Sequence, residues 1–370
     1  MRKFLTLFFV SILFLIVSCA GYSDDVVGER VVMHHSSLLE ITDCSGYTVV
    51  DVRNPWGEGV LKRYLLVHHD SIMPDDMPRG TLLRVPLERV VLFSGVHAAL
   101  FSEFGALSSI SGVCDSRYMY SDAVRIGLEQ GTVVDCGSSL NVNTETVAQV
   151  NPDAIFVLPY ENGGYGKLDN MAYPLVECAD YMETSPLGCA EWMRFYGRLM
   201  GRGAESDSLF NAVCSEYETL CRQVNDVKER PRLMCELKSS SAWYVPGGKS
   251  TMGQMYKDAG AEYLFADCGS NGSVPLAFEV VLDKAADADI WIVKYNSEED
   301  KDFNSLLAGF DGYTHFRPFK ERNIYACNTH KNNLFEEATF HPERLLKELA
   351  ALFHPYLFPE YTPIYYEKMY

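Results

Sequence analysis

The chain has 370 residues, 47% of them hydrophobic and 12% aromatic, with 50 acidic residues against 32 basic ones and a net charge of −18. That balance repels phosphate backbones and excludes nucleic acid as the expected partner, and the apolar content is too high for a disordered chain. The length allows two α/β lobes of ordinary size.

Arg2 and Lys3 precede an apolar run from Phe4 to Val17, and no acidic residue occurs before Asp24. The run is short for a bilayer span and has the dimensions of a secretion signal, residues 1–18. It ends Ile16-Val17-Ser18-Cys19, which resembles the lipobox of bacterial lipoproteins. That resemblance implies cleavage before Cys19 and a diacylglycerol on its sulfur, each buried methylene adding about 0.8 kcal/mol of membrane affinity. The expected location is the periplasm, lipid-anchored to a membrane. Ten further cysteines follow without any CxxC spacing, so buried free thiols are expected rather than a disulfide framework.

Residues 19–85 read as a β-rich segment. Leu38–Thr42 and Tyr47–Val52 flank Asp43-Cys44-Ser45-Gly46 as a hairpin, and Lys62–His68 and Thr81–Val85 are further strands. The pairs His34-His35 and His68-His69 are expected on strands, where adjacent side chains point to opposite faces and cannot chelate as a unit. No metal-ligand set is nominated.

Residues 86–185 alternate short apolar strands with helices. The strands are Val90–Phe93, Ile110–Cys114, Ala154–Leu158 and Pro174–Cys178, with a helix over Ala98–Phe104. Residues 186–228 hold no strand. Leu209, Val213, Tyr217, Leu220, Val224 and Val227 recur at steps of three and four, an amphipathic helix with Ser206-Asp207-Ser208 at its start. Residues 229–370 return to the α/β pattern, with strands at Leu233–Leu237, Ala288–Val293 and Asn323–Cys327, a loop at Trp243–Gly248, and helices at Met252–Ala259 and His341–Phe353. The fold class is α/β: two lobes with mostly parallel central sheets, joined by a long helix, with a ligand cleft between them.

Two segments carry a resemblance. Asn143-Thr144-Glu145 through Asn151-Pro152-Asp153-Ala154-Ile155, and Ser273 through Glu279-Val280-Val281 with Ala288-Asp289-Ile290, resemble the paired lobe signatures of the periplasmic binding proteins for ferric siderophores, cobalamin and haem. Cys178 through Trp192 and Trp243-Tyr244-Val245-Pro246-Gly247-Gly248 resemble a Bacteroidetes lipoprotein branch of that family, with Cys189 where that branch has arginine. The likeness spans about residues 85–350 and leaves the β-rich segment outside it. It implies a non-enzymatic protein of an ABC importer. Glu145 and Glu279 would dock on arginines of the permease, whose ATPase supplies the energy, and a stiff connecting helix would allow only small lobe motion.

The ligand is expected at loops beyond the carboxyl ends of the strands. These hold Ser94, His97, Tyr118, Tyr160, Glu161 and Tyr165 in the first lobe, and Trp243, Tyr244, Asn271, Arg317 and Asn328 in the second. Aromatic side chains suit a flat metal chelate, a ferric siderophore, haem or cobalamin; Arg317 suits an anionic one, and His97 is read first as a hydrogen-bonded histidine at a helix start, with ligation of haem iron or cobalt as the alternative. No resident cofactor is expected. Gly247-Gly248-Lys249-Ser250 ends like a phosphate-binding loop, but Trp243 occupies the place of its first glycine, so a nucleotide site is rejected. The alternatives are a bare metal-ion receptor, an extracytoplasmic hydrolase for which no nucleophile–base pair can be nominated, and a surface adhesion or scaffold protein using the β-rich segment.

Overall fold

A computed structural model describes residues 26–370. The expected secretion signal, residues 1–18, and the expected lipidation site Cys19 lie outside the described residues. Among those described, no helix is long and apolar enough to cross a membrane.

The N-terminal segment is a five-stranded sheet. Glu29–Val31, Leu39–Cys44, Tyr47–Arg53, Val60–His68 and Thr81–Val85 lie side by side in that order, antiparallel except for the last pair. The expected hairpin forms, and Gly46 takes φ +85°, the left-handed conformation its tight turn requires. The sheet is joined to the first lobe through Tyr64. This fully buried side chain donates to Leu175 O at 3.0 Å and accepts from Glu177 N at 2.7 Å, satisfying an edge strand of the neighbouring sheet. His34 and His35 lie in a bend between two strands rather than on one.

The first lobe holds a fully parallel sheet in the order Leu175–Glu177, Ala154–Val157, Val90–Leu92, Ile110–Val113, Val134–Asp135. The second lobe repeats the plan with Glu262–Tyr263, Arg232–Cys235, Ile290–Tyr295 and Ile324–Asn328, closed by the antiparallel Glu367–Lys368. Parallel strands buried on both faces explain the unbroken apolar runs Val90–Leu92 and Ala154–Val157. A small antiparallel sheet of Lys238–Ser239, Ala242–Pro246 and Ser273–Leu276 is appended to the second lobe.

One 23-residue helix, Gly203–Asn225, connects the lobes, burying Phe210, Val213, Tyr217, Leu220 and Val224. It starts earlier than the expected Ser206 cap. Ser206 sits inside the first turn, its hydroxyl donating to Gly203 O at 2.8 Å, because the helix here crosses the preceding Met193–Leu199 helix at Gly197. A Cβ on Gly197 would lie 2.2 Å from that of Ser206, so only glycine allows the approach. The apolar core runs continuously from the N-terminal sheet through the connecting region into the second lobe.

Buried carboxylates tie the chain ends to this frame. Glu191, fully buried, accepts backbone N–H bonds from His34, His35 and Ser36, and Glu183 accepts from Ser37 N, Leu38 N and the Trp192 indole. Glu348 does the same for Ile364, Tyr365 and Tyr366 near the C-terminus. A carboxylate taken out of water needs such donors on its lone pairs, and here the backbone supplies them.

Candidate functional site

Two adjoining cavities of about 680 and 510 Å³ share Phe93, Ser94, Val96, Ser139 and Leu158 as common wall; the larger is lined by the first lobe except for Thr339, and the smaller lies between the lobes. The strand Val90–Leu92 delivers Ser94 to the cleft, where it caps the Gly95–Glu103 helix by accepting from Val96 N. The helix therefore presents its N-terminus beyond the carboxyl end of a parallel strand, where open α/β sheets place their ligands. Tyr160, Tyr165 and Tyr181 make an aromatic wall on the larger cavity, with Lys167 beside them. Tyr160 is held by donating to Gly164 O at 2.8 Å, and Tyr165 by donating to Glu177. Burial, then that bond to Glu177, pushes the Tyr165 phenol far above its ordinary value, so it stays a neutral donor.

The floor of the larger cavity is polar. His97 is only 1% exposed, stacks edge-on against Tyr196 at 4.9 Å, and places Nε2 3.5 Å from Asp180 Oδ1. Neither ring nitrogen of His97 has a hydrogen-bond partner among the described residues, against the hydrogen-bonded histidine expected at this helix start. Asp180 accepts from the Tyr196 hydroxyl at 2.6 Å, and burial followed by that carboxylate raises the Tyr196 phenol well above its usual range. The Cys178 thiol completes a buried group in which one atom each of His97, Cys178 and Asp180 lie within 4.8 Å of one another. Imidazole, thiol and carboxylate form a donor set suited to a borderline-soft cation.

The second lobe closes the smaller cavity with Asn296, Thr329, Asn332, Asn333, Phe335 and Glu336. Two contacts hold the lobes together beside it. Glu336 accepts from Tyr120 N at 2.8 Å, and His341 places Nε2 2.8 Å from Glu103 and Nδ1 2.8 Å from Glu343. Burial opposes a charge on His341, but Glu103 and Glu343 outweigh it and push the imidazole up to about 9.

The structure brings Ser94, His97, Tyr118, Tyr160 and Tyr165 to these cavities; Glu161 is exposed beside them and lines neither. The second-lobe expectations are placed differently. Residues 242–246 form a strand rather than a loop, so alternation turns Trp243 inward. It is fully buried, donates to Cys235 O at 3.0 Å and packs on Trp291, Tyr313 and Phe316. Tyr244 points outward and exposed, and Asn271 lies in an exposed turn; neither lines a cavity. Arg317 pairs with Asp289 and donates to Ala288 O at 3.0 Å, satisfied near the start of the Ile290–Tyr295 strand and away from the cleft. Asn328 is a loop organiser: it accepts from Ser297 N and His330 N and donates to Asp300, leaving its neighbour Thr329 to face the cavity. Lys167, Asp180, Tyr181, Asp115 and Glu336 are cavity residues that the sequence reading passed over. Lys167 lies two residues from the expected Tyr165, and Asp180 and Tyr181 fall inside the Cys178–Trp192 run that carries the family resemblance, whereas nothing local marks Glu336.

Glu145 and Glu279 are both exposed, each in the first turn of a short helix, Thr144–Val150 and Phe278–Ala285. Asn143 caps the first by accepting from Glu145 N and Thr146 N. The neighbouring Thr144 lines the larger cavity.

Two lobes on largely parallel sheets, one helical bridge and open cavities beyond the strand ends are the architecture of a two-lobed binding protein. Residues 95–330 match the family described as periplasmic binding protein, and the chain belongs to that family. An uncharacterized lipoprotein of Methanocaldococcus jannaschii is 25% identical over 75% of this chain and 67% of its own length. A periplasmic heme-binding protein from Pseudomonas aeruginosa superposes with a TM-score of 0.57 at 14% identity, covering 73% of this chain and 93% of its own. A protein of an ABC-type Fe3+-hydroxamate transport system from Saccharomonospora viridis gives 0.56 at 16% identity, covering 73% and 94%.

Proposed function

We propose that this chain is the substrate-binding lipoprotein of an ABC importer, anchored through Cys19 outside the cytoplasm, which captures a metal chelate in the inter-lobe cleft and delivers it to a permease. The observation that carries this reading is the pair of adjoining cavities, one with an aromatic wall of Tyr160, Tyr165 and Tyr181 on the first lobe and one opening between the lobes. Aromatic area binds a flat or apolar chelate, and a few fixed polar groups orient it. The exposed Glu145 and Glu279, one on each lobe, serve as the docking carboxylates. Two separated carboxylates meeting guanidinium groups set orientation and encounter rate.

The lining bears on the cargo. Among the described residues neither cavity is lined by an arginine; Lys167 and Asp180 line the larger, and Asp115 and Glu336 line the smaller. Such a surface disfavours a ferric catecholate or the propionates of haem and favours an uncharged or cationic chelate, of the ferric hydroxamate or cobalamin class. Absorbance titration of the purified protein with a ferric hydroxamate, cobalamin, haem and a ferric catecholate tests this. Saturable binding of one of the first two is expected. Binding of none, or of an anionic chelate alone, contradicts the reading. Glu145→Ala with Glu279→Ala should leave that affinity unchanged and abolish uptake.

A second reading, a receptor for the bare metal ion, is favoured by one observation: the buried group of His97, Cys178 and Asp180 under the cleft. Titration with metal salts in the absence of chelator, with and without Cys178→Ala, separates the two.

A further inference from the structure

We propose that His35, Cys214 and Glu218 form a second, separate site for a divalent transition-metal cation of the zinc class, which clips the N-terminal segment to the connecting helix. His35 Nε2 lies 3.4 Å from Cys214 Sγ, Glu218 Oε1 lies 3.8 Å from that sulfur, and all three atoms fall within 4.8 Å of one another. A tetrahedron built with ordinary zinc–sulfur, zinc–nitrogen and zinc–oxygen bond lengths has ligand–ligand edges of about 3.3–3.6 Å. The observed spacing therefore needs adjustments of a few tenths of an ångström on the sulfur edges and only side-chain rotation for the rest.

The parts of the chain that meet here are distant in sequence and held independently. Cys214 and Glu218 are four residues apart on the Gly203–Asn225 helix, so they share a face. His35 is fixed from behind: its backbone N–H donates to the buried Glu191 at 2.8 Å, with Ser36 N on the same oxygen. Its ring rests edge-on against Phe210, one turn before Cys214, with centroids 6.0 Å apart. His35 and Cys214 are half-buried and Glu218 is exposed, which leaves the fourth tetrahedral position to water. A neutral imidazole, a thiolate and a carboxylate carry two negative charges, which the dication neutralises as the Cys214 proton leaves to solvent. His34 and His35 do not chelate as an adjacent pair; His35 instead meets Cys214, 179 residues away, and Glu218 one turn beyond it. The consequence is a metal-dependent cross-link between the segment that follows the lipid anchor and the element that joins the lobes.

The test is titration of the metal-stripped chain with Co(II), followed by Zn(II) competition. One cobalt per chain is expected at this site, with thiolate-to-metal charge-transfer absorption that zinc displaces. Cys214→Ser should remove the charge-transfer band, His35→Ala should weaken binding at least tenfold, and Glu218→Gln should weaken it less. Zinc should also slow alkylation of Cys214 by iodoacetamide in the unaltered chain, a readout that needs no variant. A band that survives in the His35→Ala, Cys214→Ser double variant overturns the proposal, as does one lost only in Cys178→Ala, which puts the ion under the cleft. Unchanged alkylation of Cys214 overturns it as well.

Discussion

The carboxylate of Glu336, on the second lobe, lies against the Cα of Gly95, on the first: a Cβ placed on Gly95 would fall 2.0 Å from Oε1. Glu336 is 5% exposed and its Oε1 also accepts from Tyr120 N, so it cannot yield without losing that bond. Gly95→Ala is therefore expected to force the lobes apart at this contact and destabilise the chain by about 1–3 kcal/mol. Denaturant unfolding measures it, and a change below about 0.5 kcal/mol would show that the latch yields freely.

The second inter-lobe contact makes stability depend on pH. His341 titrates at about 9 in the folded chain, above its ordinary value of 6.5, because Glu103 and Glu343 favour its charged form against the opposing effect of burial. The contribution is fully present below pH 6.5 and is lost as pH rises through 9, with a magnitude of roughly 1–3 kcal/mol. Thermal unfolding of the native chain and of His341→Gln should differ most near pH 6 and converge above pH 9. Parallel curves across that range would remove His341 from the account.

Glu191 holds the N-terminal segment by accepting three backbone N–H bonds, from His34, His35 and Ser36. Glu191→Ala strands those donors and should cost about 3 kcal/mol. Hydrogen exchange should accelerate at residues 34–38 while the parallel sheets keep their protection. Uniform acceleration would mean that the segment is not a separable unit.

Arg317, expected from sequence to meet an anionic ligand, is instead satisfied by Asp289 and Ala288 O. Its side chain is 40% exposed, so Arg317→Ala should lower stability by less than about 1 kcal/mol and leave chelate affinity within twofold. A tenfold loss of affinity on isothermal titration would return Arg317 to the site.

Legibility in the sequence follows the range of the interaction. Val90–Leu92, Ala154–Val157 and the Val213, Tyr217, Leu220, Val224 stripe announce themselves by local periodicity, and the structure places them in sheet and connecting helix. Ser94, Tyr160 and Tyr165 follow from the strand-then-loop grammar, which fixes where cleft residues of a parallel sheet must lie. Trp243 misleads because Pro246-Gly247-Gly248 signals a loop, while the pairing that makes residues 242–246 a strand comes from Ser273–Leu276. Nothing local marks Glu183 and Glu191 as buried; the backbone donors they accept from lie 145–157 residues earlier. Glu336 reaches the cleft only once the lobes face each other, and nothing in its neighbourhood encodes that, whereas Asp115 follows the strand Ile110–Val113 and lies within reach of the same grammar.

The claim on which the rest depends is that the aromatic wall of the larger cavity holds the cargo. Tyr160→Ala and Tyr181→Ala remove half-exposed rings from that wall, leaving the His97–Asp180 floor beneath them. Equilibrium titration with the uncharged chelate that binds the unaltered chain should show each variant weakened about tenfold or more, consistent with 1–3 kcal/mol of lost ring contact. Affinities equal to that of the unaltered chain in both variants would contradict it.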